Sequence, residues 1–287
     1  MLRVAVLFIV ALLAFAGNSI INRYALLTQS IDPNSFVAIR LISGALAMLL
    51  IWYLFNQRQA LRQKASAPVR RGSWWGASTL AIYAVAFSSA YNQLETGFGA
   101  LILFASVQLS MLFVGWLNGH RLGAREIAGS TLALAGLLYL VYPTLTIPSS
   151  LWACVSMIVA GSAWGLYSLH GRGSASPLTD TTFNFVRAAP VALVSILWQW
   201  GDFVLSTQGV WLAVLSGVVT SGMGYAIWYL VLPQIKVATA AIGQLSVPLI
   251  AAAGGVLFAN EKITITLFIS GLLIIGGMLI VVLKRAK

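Results

Sequence analysis

Apolar residues are grouped in long runs along the 287-residue chain, and short polar breaks separate the runs. A helix of about 20 apolar residues is long enough to cross the roughly 30 Å hydrocarbon core of a bilayer. Ten runs approach this length, so the pattern predicts an all-α membrane protein with ten transmembrane helices. The predicted spans are residues 3–24, 36–55, 73–92, 97–117, 125–142, 150–170, 181–200, 210–231, 236–258 and 264–283.

The composition indicates the same class of protein. Hydrophobic residues make up 60% of the chain and charged residues only 8%, and the mean hydropathy is +0.91. A soluble domain carries about 25% charged residues. The protein therefore has too few charged residues to cover a surface in water, and its apolar surface must face lipid. The lipid bilayer is thus a predicted partner. The single Cys154 and the two histidines, His120 and His170, are too few for a disulfide or a multi-ligand metal site, so we expect no metal and no cofactor.

Basic residues fall mainly on one side of the predicted bundle. When the breaks between helices are assigned alternately to the two sides, 13 of the 17 basic residues share the side of the N-terminus. The positive-inside rule then places both termini in the cytoplasm, in a plasma membrane such as a bacterial inner membrane. Because these charges are spread over several loops, they do not predict a nucleic-acid surface. The residues are Arg3, Arg58, Arg62, Lys64, Arg70, Arg71, Arg121, Arg125, Arg172, Lys236, Lys284, Arg285 and Lys287.

Two segments of the chain follow the same plan, which predicts an internal repeat. Gly17 precedes Arg40 by 23 residues, Gly165 precedes Arg187 by 22, and each pair brackets a loop with a proline. Aromatic and glycine positions further along recur at a constant offset of 142. The pattern therefore predicts two homologous halves of five helices each.

The predicted repeats are residues 1–142 and 150–287, with residues 143–149 as an external linker. Because five is an odd number, the second half must enter the membrane from the opposite side, so the repeats are inverted. Inverted repeats are typical of alternating access, since one plan adopts two conformations that the halves exchange.

The first helix has two interpretations. The small-x-small triplet Ala14-Phe15-Ala16 ends an apolar run, as at a signal-peptide cleavage site. The same residues also fit the middle of an uncut transmembrane helix, because the apolar character resumes at Ile20. Matching halves of five helices require the first helix, so we expect it to be retained.

Polar and aromatic side chains within the apolar runs are candidates for substrate binding. Asn18 and Asn22 lie one helical turn apart and share a face, although a hydrogen bond between helices is the alternative role. Trp164 lies near the middle of its span, which favours a cavity over the interfacial belt. Aromatic residues recur at helical spacing in two further helices, where packing is the alternative. The candidates are Asn18, Asn22, Tyr83, Phe87, Tyr91, Trp164, Tyr167, His170, Tyr225, Trp228 and Gln244.

Two prolines are candidates for helix breaks within the membrane. Pro248 removes the helical hydrogen bond to the carbonyl of Gln244, and Pro190 does the same to Val186. A freed carbonyl either orients a substrate or bonds to a neighbouring hydroxyl or water.

Two arginines within apolar runs are candidates for gates. One interpretation pairs Arg40 with Glu261 on the outer side and Arg187 with Glu126 on the inner side, so that the pairs break alternately. The alternative is that both arginines extend to the lipid headgroups.

The acidic residues indicate how transport is energised. All six lie in predicted loops or at helix ends, whereas proton- and sodium-coupled carriers usually bury a carboxylate at the bilayer midplane. We therefore expect weak or no ion coupling. These residues are Asp32, Glu95, Glu126, Asp180, Asp202 and Glu261.

The stretch GYAIWYLVLPQIKVATAAIGQLSVPLIAAAGGVLFANEKIT, residues 224–264, resembles the second repeat of EamA-type permeases of the drug/metabolite transporter superfamily. Pro248, Glu261 and Gly271 stand where these proteins have a Pro, a Glu and a Gly. The likeness extends over residues 5–142 and 150–283, although His120-Arg121 stands where the first half of the family has its Glu. It implies ten helices in two inverted halves and a small-metabolite permease, often an amino-acid exporter.

The residues and the resemblance together predict an alternating-access exporter of amino acids, including aromatic and hydrophobic ones, that works as a monomer. An efflux pump for drugs or other metabolites is the first alternative, and a channel is the second. A membrane enzyme is disfavoured, because the sequence brings no acids, histidines or nucleophile together at one depth.

Overall fold

The computed structural model of the protein describes residues 2–60, 71–91, 93–94, 96–144, 150–198, 203–258 and 264–282. Over these ranges the chain is helical apart from turns, short connections and one isolated β-bridge between Ile31 and Leu205. The α-helices are α1 (Leu2–Leu27), α2 (Pro33–Ala60), α3 (Trp74–Tyr91), α4 (Thr96–Leu117), α5 (Ala124–Val141), α6 (Leu151–Gly171), α7 (Pro177–Trp198), α8 (Thr207–Leu215), α9 (Gly224–Val231), α10 (Val237–Gln244), α11 (Ser246–Phe258) and α12 (Ile265–Val282).

Eight helical stretches among the described residues are long and apolar enough to cross a membrane. They comprise α1, α2, α4, α5, α6 and α12, together with Thr207–Gln234 and Val237–Gly254. The predicted spans at α3 and α7 are outside this group, because α3 is rich in Trp, Tyr and Ser and the first eight residues of α7 include three Thr, an Asp and an Asn. The all-helical membrane class is thus confirmed, while crossing by α3 and α7 stays a prediction.

Two of the predicted spans are interrupted helices. A π-helical segment, Ser216–Met223, connects α8 to α9, and α10 separates from α11 at Leu245. Pro248 accounts for the second interruption, because its ring clashes with the carbonyl four residues earlier and it has no N–H to donate. That carbonyl belongs to Gln244, the last residue of α10. The predicted break at Pro248 therefore coincides with an observed helix end.

α7 does not break at its internal proline. It continues as one helix from Pro177 to Trp198 through Pro190, so this proline does not interrupt the helix. A proline costs one hydrogen bond and some steric strain, and packing can compensate for both. Ala188 and Ala192, on either side of Pro190, are fully buried against the rest of the protein.

The main contacts between helices have counterparts when α1 to α5 are matched in order with α6 to α12, counting α8–α9 and α10–α11 as one span each. The contact of α3 with α6 corresponds to that of α9 with α1, and the contact of α4 with α6 corresponds to that of α11 with α1. Two further contacts, α2 with α7 and α5 with α12, map onto themselves. The central contacts of the bundle are therefore made between the halves rather than within them.

Glycines allow α5 and α12 to approach closely. A Cβ atom at position 277 would lie 2.5 Å from the carbonyl oxygen of Gly129 and 2.8 Å from the amide nitrogen of Ala133. At the preceding position, Gly276, the nearest atom to an added Cβ would be Leu132 Cδ2 at 3.9 Å. Small residues at such crossings are typical of packed membrane helices.

Replacing Gly277 by Ala is expected to destabilise the protein, because the added methyl group has no room between α5 and α12. Overpacking of this kind costs about 1–3 kcal/mol. The matched variant Gly276→Ala is expected to be neutral or to stabilise, since Ala favours a helix over Gly by up to about 1 kcal/mol. Thermal unfolding in detergent compares the two, and equal melting temperatures would contradict the close crossing.

One end of the bundle is held by hydrogen bonds between the α1–α2 and α7–α8 connections. The Asp32 amide donates to the Val204 carbonyl at 3.0 Å, and the Ser206 amide donates to the Ser30 carbonyl at 2.9 Å. The Asp32 carboxylate accepts from the Val204 amide at 3.4 Å and from the Ser35 amide at 2.9 Å. We call this set of contacts the Asp32 tie and this end of the bundle the Asp32 end.

The opposite end is held by hydrogen bonds between the segment before α3 and the ends of α6 and α7 that face it. The Asp180 carboxylate accepts from the Gly72 amide at 3.1 Å, and the Asn184 side chain accepts from the Ser73 amide at 3.0 Å. Ser73 Oγ also lies 2.8 Å from His170 Nε2. These contacts join the segment before α3 to α6 and α7. We call them the Asp180 tie, and this end the Asp180 end.

Candidate functional site

Aromatic rings from four helices meet around Trp164 near the middle of the bundle. Its ring centroid lies 4.5 Å from Tyr225, 4.9 Å from Tyr83, 5.2 Å from Phe15 and 5.4 Å from Tyr167. These distances are typical of favourable aromatic pairs. Because Phe15 and Tyr83 come from the first half and the others from the second, the cluster depends on both halves of the chain.

A small cavity lies beside this cluster. Its volume is about 20 Å³, room for roughly one water molecule. The cavity is too small for any metabolite in this state, so a solute needs the surrounding helices to separate. The lining residues are Phe15, Asn18, Ser19, Tyr83, Leu103, Phe104, Trp164 and Tyr225.

Hydroxyl groups of the π-helical segment converge on Asn18. The Asn18 side-chain oxygen accepts from Ser216 at 2.7 Å and from Ser221 at 3.4 Å. In an α-helix, residues five apart are rotated by about 140°, whereas the wider π turn brings such residues closer to one face. The π segment therefore allows two serines to reach one amide of α1. This contact between halves is the alternative that the sequence analysis left open for Asn18.

Arg40 is buried at the same depth, with no exposed surface. Its Nε donates to Ser221 Oγ at 2.8 Å and its Nη2 donates to Tyr225 Oη at 2.6 Å. The guanidinium also lies over the Tyr83 ring, 5.7 Å from its centroid. One of the two interpretations of Arg40 from the sequence was a gate with Glu261, which lies outside the described residues. The partners of Arg40 that the structure describes are neutral groups in the interior.

Gln244 holds the indole of Trp164. The Trp164 Nε1 donates to the Gln244 side-chain oxygen, and Gln244 Nε2 donates to the Ala240 carbonyl at 3.3 Å. Gln244 is the last residue of α10, so the break caused by Pro248 occurs next to the aromatic cluster. Ser246 Oγ donates to the Gly243 carbonyl at 2.6 Å, which satisfies one of the carbonyls at the end of α10.

Some predicted residues continue the cluster without lining the cavity. Phe87 lies 5.4 Å from Tyr83 and 4.7 Å from Tyr91, which extends the aromatic contacts along α3. Tyr167 packs on Trp164, and its hydroxyl has no hydrogen-bond partner in the described structure. Asn22 is buried one turn beyond Asn18, and its two amide atoms also lack partners there.

Two predicted residues lie apart from the cavity. Trp228 is buried beside Phe8 and Phe15, and its Nε1 donates to Ser168 Oγ at 3.0 Å. It occupies a packing role because α9 turns its ring toward α1 and α6. His170 belongs to the Asp180 tie through Ser73. It lies six residues beyond Trp164, near the end of α6, which places it too far along the helix to reach the cavity.

The predicted pair of Arg187 and Glu126 is not formed. Arg187 Nη1 donates to the Arg71 carbonyl at 2.7 Å, and its guanidinium lies 5.4 Å from the centroid of Trp74. Glu126 instead lies 3.3 Å from His120 and 3.7 Å from Lys236. The two side chains do not meet because they have different neighbours. Arg187 in α7 contacts the segment before α3, whereas Glu126, in the first turn of α5, contacts the α4–α5 connection and Lys236.

A second, larger cleft of about 360 Å³ opens at the ends of α4 and α6. Burial lowers the pKa of Arg172 in its wall, and Arg172 Nη1 donates to the Ile235 carbonyl at 2.6 Å. Among the described residues, no Phe, Tyr or Trp lines the cleft, so its chemistry differs from that of the central cavity. Its lining residues are Gly115, Asn118, His120, Leu169, Arg172, Lys236 and Val237. Within the described ranges, no group of three or more His, Cys, Asp or Glu residues is arranged to hold a metal.

The serines of the π segment and the hydrogen bonds of the two ties were not predicted from the sequence. The eight residues SGVVTSGM contain five Ser, Thr or Gly residues inside an otherwise apolar span, a signal that a helix there faces polar groups. Phe15, Leu103 and Phe104 gave no signal, because an apolar residue of a membrane helix faces lipid, protein or a cavity with the same pattern. Ser19, a small polar residue next to Asn18, was also not among the predicted residues.

A helical membrane bundle with a mixed aromatic and polar cavity between its halves has the usual composition of a small-molecule site, which fits a transporter of small solutes. Residues 2–142 and 151–283 match the EamA-like transporter family. The chain belongs to this family.

The chain is also similar to individual proteins, of which one below is named a transporter. The chain is 42% identical to the uncharacterized protein PA1977 of Pseudomonas aeruginosa, over 99% of this chain and 96% of the relative. It is 23% identical to the uncharacterized transporter YoaV of Bacillus subtilis, over 87% of each chain. A solved crystal structure of another protein shares the fold, with a TM-score of 0.77, 19% identity and coverage of 98% of this chain and 97% of that one.

Proposed function

We propose that the protein is an alternating-access exporter that moves amino acids, including aromatic and hydrophobic ones, from the cytosol outward. The cavity between the halves carries this proposal, because its walls combine aromatic rings with amide and hydroxyl groups. Mainly apolar walls with a few placed polar groups are the usual composition of a small-molecule site. Aromatic and hydrophobic amino acids combine the same two kinds of surface.

The matching helix contacts of the two halves support the inverted repeat. In this proposal α3 and α7 also cross the membrane, which brings the number of spans from eight to ten. The basic residues support a cytosolic Asp180 end and cytoplasmic termini under the positive-inside rule. Arg71 lies in the segment of the Asp180 tie, and Lys236 and Glu126 meet at the same end. Among described basic residues near the Asp32 end, Arg23 stands alone in the last turns of α1.

The two ties are the proposed gates. Asp32 and Asp180 are 148 positions apart, the same separation as Gly17 and Gly165, so the ties are equivalent under the repeat. Each joins connections that belong to different halves. Breaking the Asp180 tie opens the cavity to the cytosol, and breaking the Asp32 tie opens it outward. With both ties formed and a cavity of about 20 Å³, the structure corresponds to a closed, contracted intermediate.

The described acids support weak or absent ion coupling. Asp32 and Asp180 accept backbone hydrogen bonds at the two ends, and Glu126 lies between basic residues at the start of α5. Among the residues that line the cavity there is no carboxylate. A proton- or sodium-coupled cycle would need such a group to alternate between the two sides.

Uptake of labelled amino acids into proteoliposomes tests the proposal. We expect saturable uptake of aromatic and hydrophobic amino acids that increases when the same unlabelled amino acid is present inside. Such stimulation by internal substrate requires a carrier whose binding site reorients across the membrane faster with substrate bound than when empty. An imposed pH gradient is expected to leave the uptake nearly unchanged, and empty liposomes serve as the control.

Three outcomes would contradict parts of the proposal. Folded protein that moves no amino acid would favour drugs or other metabolites as substrates. Uptake that neither saturates nor responds to internal substrate would indicate a channel. A strong response to the pH gradient would overturn the absence of ion coupling.

A further inference from the structure

We propose that Arg40 binds the carboxylate of the transported solute and that the site has no counterpart for its amino group. The substrate class would then be aromatic and hydrophobic monocarboxylates, of which amino acids are one example. This inference rests on the proposed function and narrows it to the group that the protein recognises.

Arg40 has an incomplete set of hydrogen bonds. A guanidinium carries five N–H donors and stays charged at any physiological pH. Nε and Nη2 are bonded to Ser221 and Tyr225, but Nη1 is fully buried and has no partner. A buried cation with unpaired donors is unfavourable, because desolvation is not offset by new contacts. The site is therefore completed by a group that brings both an acceptor and a negative charge.

The groups that face Arg40 supply acceptors but no charge. They are the hydroxyls of Ser221 and Tyr225 and the side chain of Tyr83, which presents both its ring and its hydroxyl. A carboxylate is the geometric match for a guanidinium, since two oxygens can accept from two N–H groups in parallel. Among described residues, the structure records no carboxylate in contact with Arg40.

Arg40 is adjacent to the cavity through two of the residues that line it. Tyr83 and Tyr225 both contact the guanidinium and both form part of the cavity wall. A solute in a widened cavity needs only a shift of the Tyr225 side chain to reach the guanidinium. Its aromatic or aliphatic part would then pack on Trp164 and Phe15.

The cavity offers an amino group no acidic partner. The residues with polar groups in its lining are Asn18, Ser19, Tyr83, Trp164 and Tyr225, which are all neutral. The Asn18 oxygen already accepts from Ser216 and Ser221. An ammonium gains no ion pair from these groups, so removing it from a substrate should cost little, whereas removing the carboxylate should cost much.

A substrate series on the unmodified protein tests this prediction directly. Competition against labelled tryptophan uptake compares tryptophan, the deaminated indole-3-propionate, the decarboxylated tryptamine and the neutralised tryptophan methyl ester. We expect the first two to compete at similar concentrations and the last two at least about tenfold more weakly, as the loss of a charge-assisted hydrogen bond implies. Equal competition by tryptamine would overturn the proposal.

Variants of Arg40 connect the preference to this side chain. Arg40→Gln is expected to remove the advantage of the carboxylate, so that indole-3-propionate loses at least about tenfold while tryptamine is unchanged. Arg40→Lys is expected to keep part of the advantage. Arg125→Gln removes the same charge from an exposed position in α5 and should leave the preference intact. A carboxylate preference that persists in folded Arg40→Gln would assign it to another group.

Ligand protection in detergent separates this proposal from the proposed function. A ligand that binds the folded state raises the melting temperature. Protection by indole-3-propionate but not by tryptamine supports the Arg40 proposal even where no amino acid is transported. Transport of amino acids without any dependence on the carboxylate would leave the proposed function standing and refute the role of Arg40. Protection by neither compound, together with no transport, would overturn both.

Discussion

A disulfide between cysteines introduced by Ile31→Cys and Leu205→Cys is expected to abolish transport, and reduction is expected to restore it. Ile31 and Leu205 form an antiparallel β-bridge at the centre of the Asp32 tie. Residues opposed in this way have Cα atoms about 4.5–5.5 Å apart, within the range of about 4.4–6.8 Å that a disulfide tolerates. The bond would hold the Asp32 end closed, so the solute could enter and leave the cavity from the other end but could not cross the membrane.

The measurement is uptake of labelled substrate before oxidation, after oxidation and after addition of reductant. The native Cys154 is replaced by Ser first, which leaves only the introduced pair. Each single-cysteine variant is the control, because oxidation should not affect it. Full uptake by protein whose cross-link is verified on a gel would show that the Asp32 end does not open during transport.

Replacing Trp164 by Ala is expected to reduce the transport efficiency by at least about 30-fold, the effect of losing an aromatic anchor worth roughly 2 kcal/mol. The indole contacts four other rings and donates to Gln244. The substitution removes the main apolar wall of the cavity and leaves a buried amide without its partner, which adds a further cost.

Trp152→Ala is the matched control for this prediction. Trp152 lies on the same helix but exposes 75% of its surface outside the protein, against 5% for Trp164. Its loss should leave the concentration dependence of uptake unchanged. Trp164→Phe should keep part of the activity, because the ring contacts remain while the hydrogen bond is lost. If Trp164→Ala folds and transports normally, the aromatic cavity is not the substrate site.

The membrane class and most of the helices follow from the sequence alone. Long apolar runs have one stable arrangement in a bilayer, because every backbone polar group must be bonded within the segment. Pro248 lies next to a helix end, because the effect of a proline on the residue four positions earlier is local. Pro190 has the same local chemistry, yet α7 continues through it, because packing around Ala188 and Ala192 decides whether a helix tolerates the lost bond.

The candidate site was predictable only where a residue type is unusual in a membrane helix. Asn18 and Trp164 stand out for this reason, and both line the cavity. Phe15, Leu103 and Phe104 line it too but look like any lipid-facing residue. His170 and Trp228 were unusual as well, but the first lies in the Asp180 tie and the second in a packing contact. A residue type indicates that a position is special without saying which neighbour makes it so.

The two arginines show this division between sequence and tertiary structure. Their equivalent positions in the two halves were apparent from the spacing to Gly17 and Gly165, and their presence in apolar runs marked both as unusual. The sequence by itself determined that much, together with the helical membrane fold, because hydrophobic patterns and helix geometry act over short distances along the chain. Only the tertiary structure places Arg40 between Tyr83 and Tyr225, and Arg187 at the Asp180 end on the carbonyl of Arg71. Their surroundings come from helices far away in sequence, and no local pattern encodes which groups a buried charge will meet.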